Sequence, residues 1–128
     1  MLPRAEALLI AAPLTPETVG LIGAEELALM PPGSFLVNVG RGPMLDDQAL
    51  IRALESGHLA GAALDVFDVE PLPAESPLWS ARNLIISPHT SSHTREAEAR
   101  GMEIFLENLG RFRRGEPLVN VVDGKRGY

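Results

Sequence analysis

The chain has no cysteine. That excludes disulfides, thiolate metal sites and a cysteine nucleophile, and it fits either redox compartment. Aromatic residues are only 5% of the 128 positions. Basic residues are outnumbered, 11 against 17 acidic, for a formal net charge of −6. This balance argues against a nucleic-acid footprint. The one basic cluster, Arg111, Arg113 and Arg114, falls near an expected helix end, where cations are favourable in any case. No apolar run approaches the roughly 20 residues that span a bilayer. The opening Met1-Leu-Pro-Arg-Ala-Glu lacks the pattern of a signal peptide, so a cytoplasmic location is expected. No internal repeat or low-complexity segment is present. What remains is an ordinary globular composition, 45% hydrophobic and 22% charged, at the length of one domain.

The stretch from Phe35 to Leu50 organises that composition. Phe35-Leu-Val-Asn-Val39 reads as a buried strand, and Gly40-Arg-Gly-Pro43 breaks it. Asp46 and Asp47 then suit a helix start, followed by helical spacing of Leu50, Ile51 and Leu54 to Ser56, with Gly57 just past the end. The product is strand, turn and helix, with Arg41 at the carboxyl end of the strand. In open α/β sheets ligands bind at that end, and a guanidinium fork suits a carboxylate. A surface arginine beside a tight turn is the bland alternative.

Three more strands are expected, over 7–12, 59–65 and 84–86. A short helix is expected over 24–30. The last helix begins after Ser92 or Thr94 and runs to about Arg113, with Gly115 ending it. Its apolar face is expected on Ala97, Gly101, Ile104 or Phe105, Leu109 and Phe112. Residues 66–83 form a long irregular segment anchored by Leu78 and Trp79. An extended tail covers 116–122, and 124–128 reads as frayed. Alternating strands and helices predict an α/β fold with a parallel sheet.

In such a sheet all strand ends share one edge. Arg41, Asp65, Glu70 and His89 each follow a strand, so the four side chains can converge. Taken singly, Asp65 reads as a turn residue and Glu70 as a solvated carboxylate. His89, in a Pro-His-Thr-Ser turn, has little structural reason to be there. His58, near a helix end, and His93, at a helix start, read as structural or surface residues. A histidine titrates near neutral pH, a carboxylate beside it favours the charged ring, and an arginine can clamp a carboxylate and polarise a carbonyl. This set can protonate a carbonyl oxygen while hydride arrives from elsewhere. No side chain supplies hydride, so a nicotinamide is required.

The motifs Pro13-Leu-Thr-Pro-Glu-Thr18, Asn38-Val-Gly-Arg-Gly42 with Asp46, Gly61-Ala-Ala-Leu-Asp-Val-Phe67 running to Glu70-Pro71, and Ser87-Pro-His89 resemble the D-isomer-specific 2-hydroxyacid dehydrogenases. They stand in that family's order and cover nearly the whole chain. The resemblance implies a partial Rossmann-like, doubly wound parallel sheet in three αβα layers, lacking its amino-terminal half. Residues 1–115 would be the carboxyl-terminal half of the NAD(P)-binding domain and 116–128 a tail. It also implies roles. Arg41 would bind the substrate carboxylate and carbonyl, His89 would exchange the proton, and Glu70 would pair with His89. Asp65 would hold the nicotinamide carboxamide. Pro13, Leu14, Thr15, Val39, Gly40, Arg41, His89, Ser91 and Ser92 would approach NAD or NADP.

There are departures from the family pattern. Gly40 stands where alanine is common, and Ser91-Ser92 replace a frequent glycine pair. The family's G-x-G-x-x-G turn is absent. The implied activity is reduction of a 2-oxo acid such as glyoxylate or hydroxypyruvate. The alternatives are a non-catalytic remnant or interaction module without dinucleotide binding of its own, and a corepressor-like relative. An exposed edge on the first strand implies a homo-oligomer or a complementing amino-terminal half.

Overall fold

The computed structural model describes residues 1–125. The chain forms two compact units, Met1–His89 and Thr90–Tyr128.

The first unit is built on four strands: β1 (Ala7–Ile10), β2 (Ser34–Asn38), β3 (Leu59–Leu64) and β4 (Leu84–Ile86). All pair in parallel, in the order β1-β2-β3-β4. The strands stop one or two residues earlier than the apolar runs suggest: β1 at Ile10, β2 at Asn38 and β3 at Leu64. The residues just past these ends still continue the ladder, as Val39 N donates to Ile10 O (3.0 Å) and Asp65 N to Asn38 O (3.0 Å).

Helices α1 (Ala24–Leu29) and α2 (Asp47–Glu55) follow β1 and β2. The α2 start is the one expected, because the Asp46 carboxylate accepts from Ala49 N at 2.9 Å. Its stop is also the one expected, at Gly57 with φ +74°, a left-handed conformation that glycine adopts without strain. The core gathers Leu36, Leu64, Leu27, Leu50, Leu54 and Met44, all buried. The register puts Ile10, Leu36 and Leu64 on this face. The opposite face carries Leu9, Phe35, Val37, Ala63 and Ile85, of which Leu9, Phe35 and Ile85 are exposed.

The long segment after β3 is anchored, as expected. It contains one 3-10 turn, Pro77–Ser80, whose Leu78 is buried in the core. Trp79 contributes in another way: the residue is 56% exposed, and Nε1 donates to Pro73 O at 2.9 Å.

The second unit is α3 (Arg95–Arg114), capped by Thr94 Oγ1 on Ala97 N and ended by Gly115 at φ +69°. The buried face expected on Ala97, Gly101, Ile104, Phe105, Leu109 and Phe112 is not buried. No residue of α3 is buried, and Phe112 is 75% exposed. Helical periodicity marks a face able to pack, and among the described residues that face stays uncovered. The tail doubles back instead. Asn108 donates from Nδ2 to Val119 O (3.0 Å) and accepts from Val119 N (2.8 Å), and Arg111 reaches Pro117 O. The frayed end expected over 124–128 lies, for 126–128, outside the described residues.

Candidate active site

The strand ends of the first unit are fastened by side chains that the sequence reading left without a role. Asn38 ends β2 with its amide fully buried. Its Oδ1 accepts from Gly40 N (3.0 Å) and its Nδ2 donates to Arg41 O (3.1 Å), so the Gly40-Arg41 turn is held at both its ends. Gly42 explains the second glycine. A Cβ there would lie 1.9 Å from the carbonyl carbon of Phe67. The Arg41 turn therefore sits directly on the backbone that leads from β3 to Glu70. The Arg41 side chain is exposed, and Nη1 donates to Gly40 O at 2.7 Å.

At the end of β3, Asp65 is only 3% exposed and accepts from Ser87 Oγ at 2.6 Å. Ser87 also continues the β3–β4 ladder, donating from N to Leu64 O (2.9 Å). Two residues on, His89 turns in the left-handed region at φ +52°. Its Nδ1 lies 2.7 Å from Glu70 Oε2, while Glu70 Oε1 accepts from Phe67 N at 2.9 Å. Both carboxylate oxygens are thus held, and the pair is partly open to solvent, at 41% and 35% side-chain exposure. The hydrogen bond to His89 holds the Glu70 carboxyl below its usual range. The Phe67 N–H adds to this, modest burial opposes it, and the charges of His89 and Arg41 add further. With Nδ1 turned to the carboxylate, Nε2 is the ring atom left for a substrate.

The structure thus joins Glu70 to His89, brings the Arg41 charge to bear on Glu70, and ties Asp65 to the strand that carries His89. Pro13, Leu14 and Thr15 form the loop after β1. It is pinned by Thr18, whose Oγ1 accepts from Thr15 N (2.7 Å) and donates to Pro13 O (2.9 Å). Val39 is half-buried and Gly40 buried. Ser91 and Ser92 belong to the second unit, and both are exposed. His58 is structural: its Nε2 lies 3.0 Å from Leu27 O. His93 is an exposed residue of the second unit. Sequence reasoning missed Asn38, Gly42 and Ser87 as positioning residues. All three stand in the motifs quoted above, and Asn38 also stands out as the polar residue in an otherwise apolar run.

A parallel, Rossmann-like sheet with polar residues gathered at its carboxyl edge defines the class of this protein. Residues 1–91 match the family model of the D-isomer specific 2-hydroxyacid dehydrogenase, NAD binding domain. The chain belongs to this family. It is similar to a D-isomer specific 2-hydroxyacid dehydrogenase from Xanthobacter autotrophicus Py2, solved in complex with NADPH and MES. That likeness is 48% identity and a TM-score of 0.87 over 99% of this chain and 52% of that one. It is also similar to an NADPH-dependent glyoxylate/hydroxypyruvate reductase from Sinorhizobium meliloti, solved with NADP and sulfate (34% identity, TM-score 0.87, 99% of this chain and 41% of that one). An uncharacterised protein from the proB 3′ region of Corynebacterium melassecola is 43% identical over 125 residues, 98% of this chain and 41% of that protein. The chain spans about half or less of the length of these relatives.

The residues present fit the nicotinamide end of such a cofactor. A buried carboxylate, Asp65, is an acceptor of the kind that suits a carboxamide N–H. The sequence has no G-x-G-x-x-G turn for the pyrophosphate.

Proposed function

We propose that this chain is the part of an NAD(P)-dependent D-2-hydroxyacid dehydrogenase that carries the acid–base residues, acting as a reductase of small 2-oxo acids such as glyoxylate or hydroxypyruvate. The observation that carries the reading is the 2.7 Å contact between His89 Nδ1 and Glu70 Oε2. Arg41 clamps the substrate carboxylate and polarises the adjacent carbonyl. His89 donates the Nε2 proton to the carbonyl oxygen in reduction and accepts it in oxidation. Glu70 holds the ring oriented through its contact with Nδ1. Asp65 accepts from the carboxamide of the nicotinamide. Pro13, Leu14, Thr15, Val39, Gly40, Ser91 and Ser92 complete the cofactor's surroundings. The bound nicotinamide supplies hydride. Two solved relatives carry NADPH or NADP, which supports the phosphorylated cofactor.

In this reading residues 1–115 are the carboxyl-terminal half of the dinucleotide-binding domain, and 116–128 are its tail. Strand β1 pairs only with β2 among the described residues, and an open strand edge invites another strand. A second copy, or a separate amino-terminal half, completes it. Light scattering that finds a monomer at every concentration contradicts the first version.

The second reading is a non-catalytic module of the same family. Absorbance-monitored oxidation of NADPH and NADH, with a panel of 2-oxo acids, separates the two. The enzyme reading predicts turnover, with Arg41→Lys raising KM about tenfold or more because a bidentate clamp is lost. No turnover at high protein concentration supports the module.

A further inference from the structure

His89 stands in a backbone conformation that has to be held. Its φ of +52° lies in the left-handed region, which a residue with a side chain keeps only where its surroundings impose it. On one side the ring imposes it, through the 2.7 Å contact of Nδ1 with Glu70 Oε2. On the other side stands Ser87, fastened twice to the end of β3. Its N donates to Leu64 O (2.9 Å) and its Oγ donates to Asp65 Oδ1 (2.6 Å). Only Pro88 separates Ser87 from His89. A proline fixes its own φ and narrows the choices of the residue before it, so little backbone freedom lies between the Ser87 hydroxyl and His89. The arrangement closes a circuit. Asp65 and Glu70 belong to the segment that leaves β3, Ser87 and His89 to the one that leaves β4, and the two contacts join the segments at both points.

We propose that the Ser87 hydroxyl is a positioning group for the acid–base pair: its bond to Asp65 sets the end of β4 so that the His89 ring meets Glu70. The consequence for turnover rests on the function proposed above, whereas the effect on the pair does not. Ser87→Ala removes this bond and keeps the backbone bond to Leu64 O. Ser87→Thr keeps the hydroxyl, on a side chain that suits an extended strand end.

The Glu70 carboxyl reports the pair without any turnover, because its bond to His89 is the largest cause of its lowered titration. The test follows that carboxyl by carbon-13 NMR against pH in the full chain, with His89→Ala as the reference for a lost contact. The expected midpoint rises in Ser87→Ala, toward that of His89→Ala, and stays low in Ser87→Thr. Asp65→Ala breaks the same bond from the other side and serves should Ser87→Ala fail to fold. By charge alone, loss of a carboxylate lowers the pKa of a neighbouring one, so a rise in Asp65→Ala reports the bond. In NADPH-dependent reduction of glyoxylate, Ser87→Ala is expected to lower kcat about tenfold, part of the roughly 10²–10⁴ that a positioned general acid contributes, with KM nearly unchanged. A Glu70 midpoint as low in Ser87→Ala as in the wild type overturns the proposal, and so does an equal rise in Ser87→Ala and Ser87→Thr. The expected midpoints without turnover by any form bear out the positioning role and contradict the enzyme reading alone.

Discussion

The two faces of the sheet come from the same four strands and reach different ends. On one, Ile10, Leu36 and Leu64 meet Leu50, Leu54 and Met44 in a closed core. On the other, Leu9, Phe35 and Ile85 stand exposed, although their sequence is as apolar as the first. Strands apolar in every position are those of parallel sheets covered on both sides. The difference teaches that pattern sets what a face is able to bury, while cover depends on which other segments are present. The candidate site does not depend on the bare face. It lies at the carboxyl ends of the strands, where Asn38 holds its own turn, Gly42 lets that turn rest on Phe67, and Ser87 fastens the end of β4 to Asp65.

Substitutions on opposite faces give the widest contrast. Leu50→Ala is expected to cost about 2–5 kcal/mol of stability, the range for emptying a buried leucine site. Phe35→Ser, on the exposed face, is expected to change stability by no more than about 0.5 kcal/mol. Urea denaturation of the isolated chain measures both, and a large cost at Phe35 would mean that its face is covered in solution. A smaller effect is expected at the strand ends. Gly42→Ala forces a methyl group against the Phe67 backbone, costing about 1–3 kcal/mol by overpacking. Because it pushes the Arg41 turn away from the segment bearing Glu70, KM for the 2-oxo acid should also rise; unchanged kinetics would show that the close approach serves only packing.

The smallest effect is electrostatic. The Glu70 carboxyl sits below its ordinary range, chiefly through its bond to His89. Its contribution to stability is therefore complete above the ordinary carboxylate range and fades as pH falls through the lowered value. Denaturation curves of wild type and Glu70→Gln should converge toward acid pH. A gap that persists there would place the effect in packing instead.

Much of this was legible beforehand because it rests on local rules. The four strands, the Asp46 cap and the Gly57 and Gly115 stops follow from neighbours within a few residues. The meeting of Glu70 and His89 follows from one further premise, a parallel sheet. The hidden part depends on close approach between segments distant in sequence. Nothing local says that Gly42 must rest on Phe67, that Ser87 bonds Asp65 across 22 positions, or that Asn108 holds the tail through Val119. The apolar stripe of α3 misled for the complementary reason: it states a capacity to pack, and among the described residues it stays unburied.

The most direct test of the acid–base site is the rate of NADPH-dependent reduction by His89→Ala beside the wild type, with circular dichroism on both. The expected result is a fall of about 10²–10⁴-fold, the usual worth of a positioned general acid, with an unchanged spectrum, since the half-exposed His89 ring lies outside the core. Retention of most of the wild-type rate would contradict the assignment of proton transfer to His89.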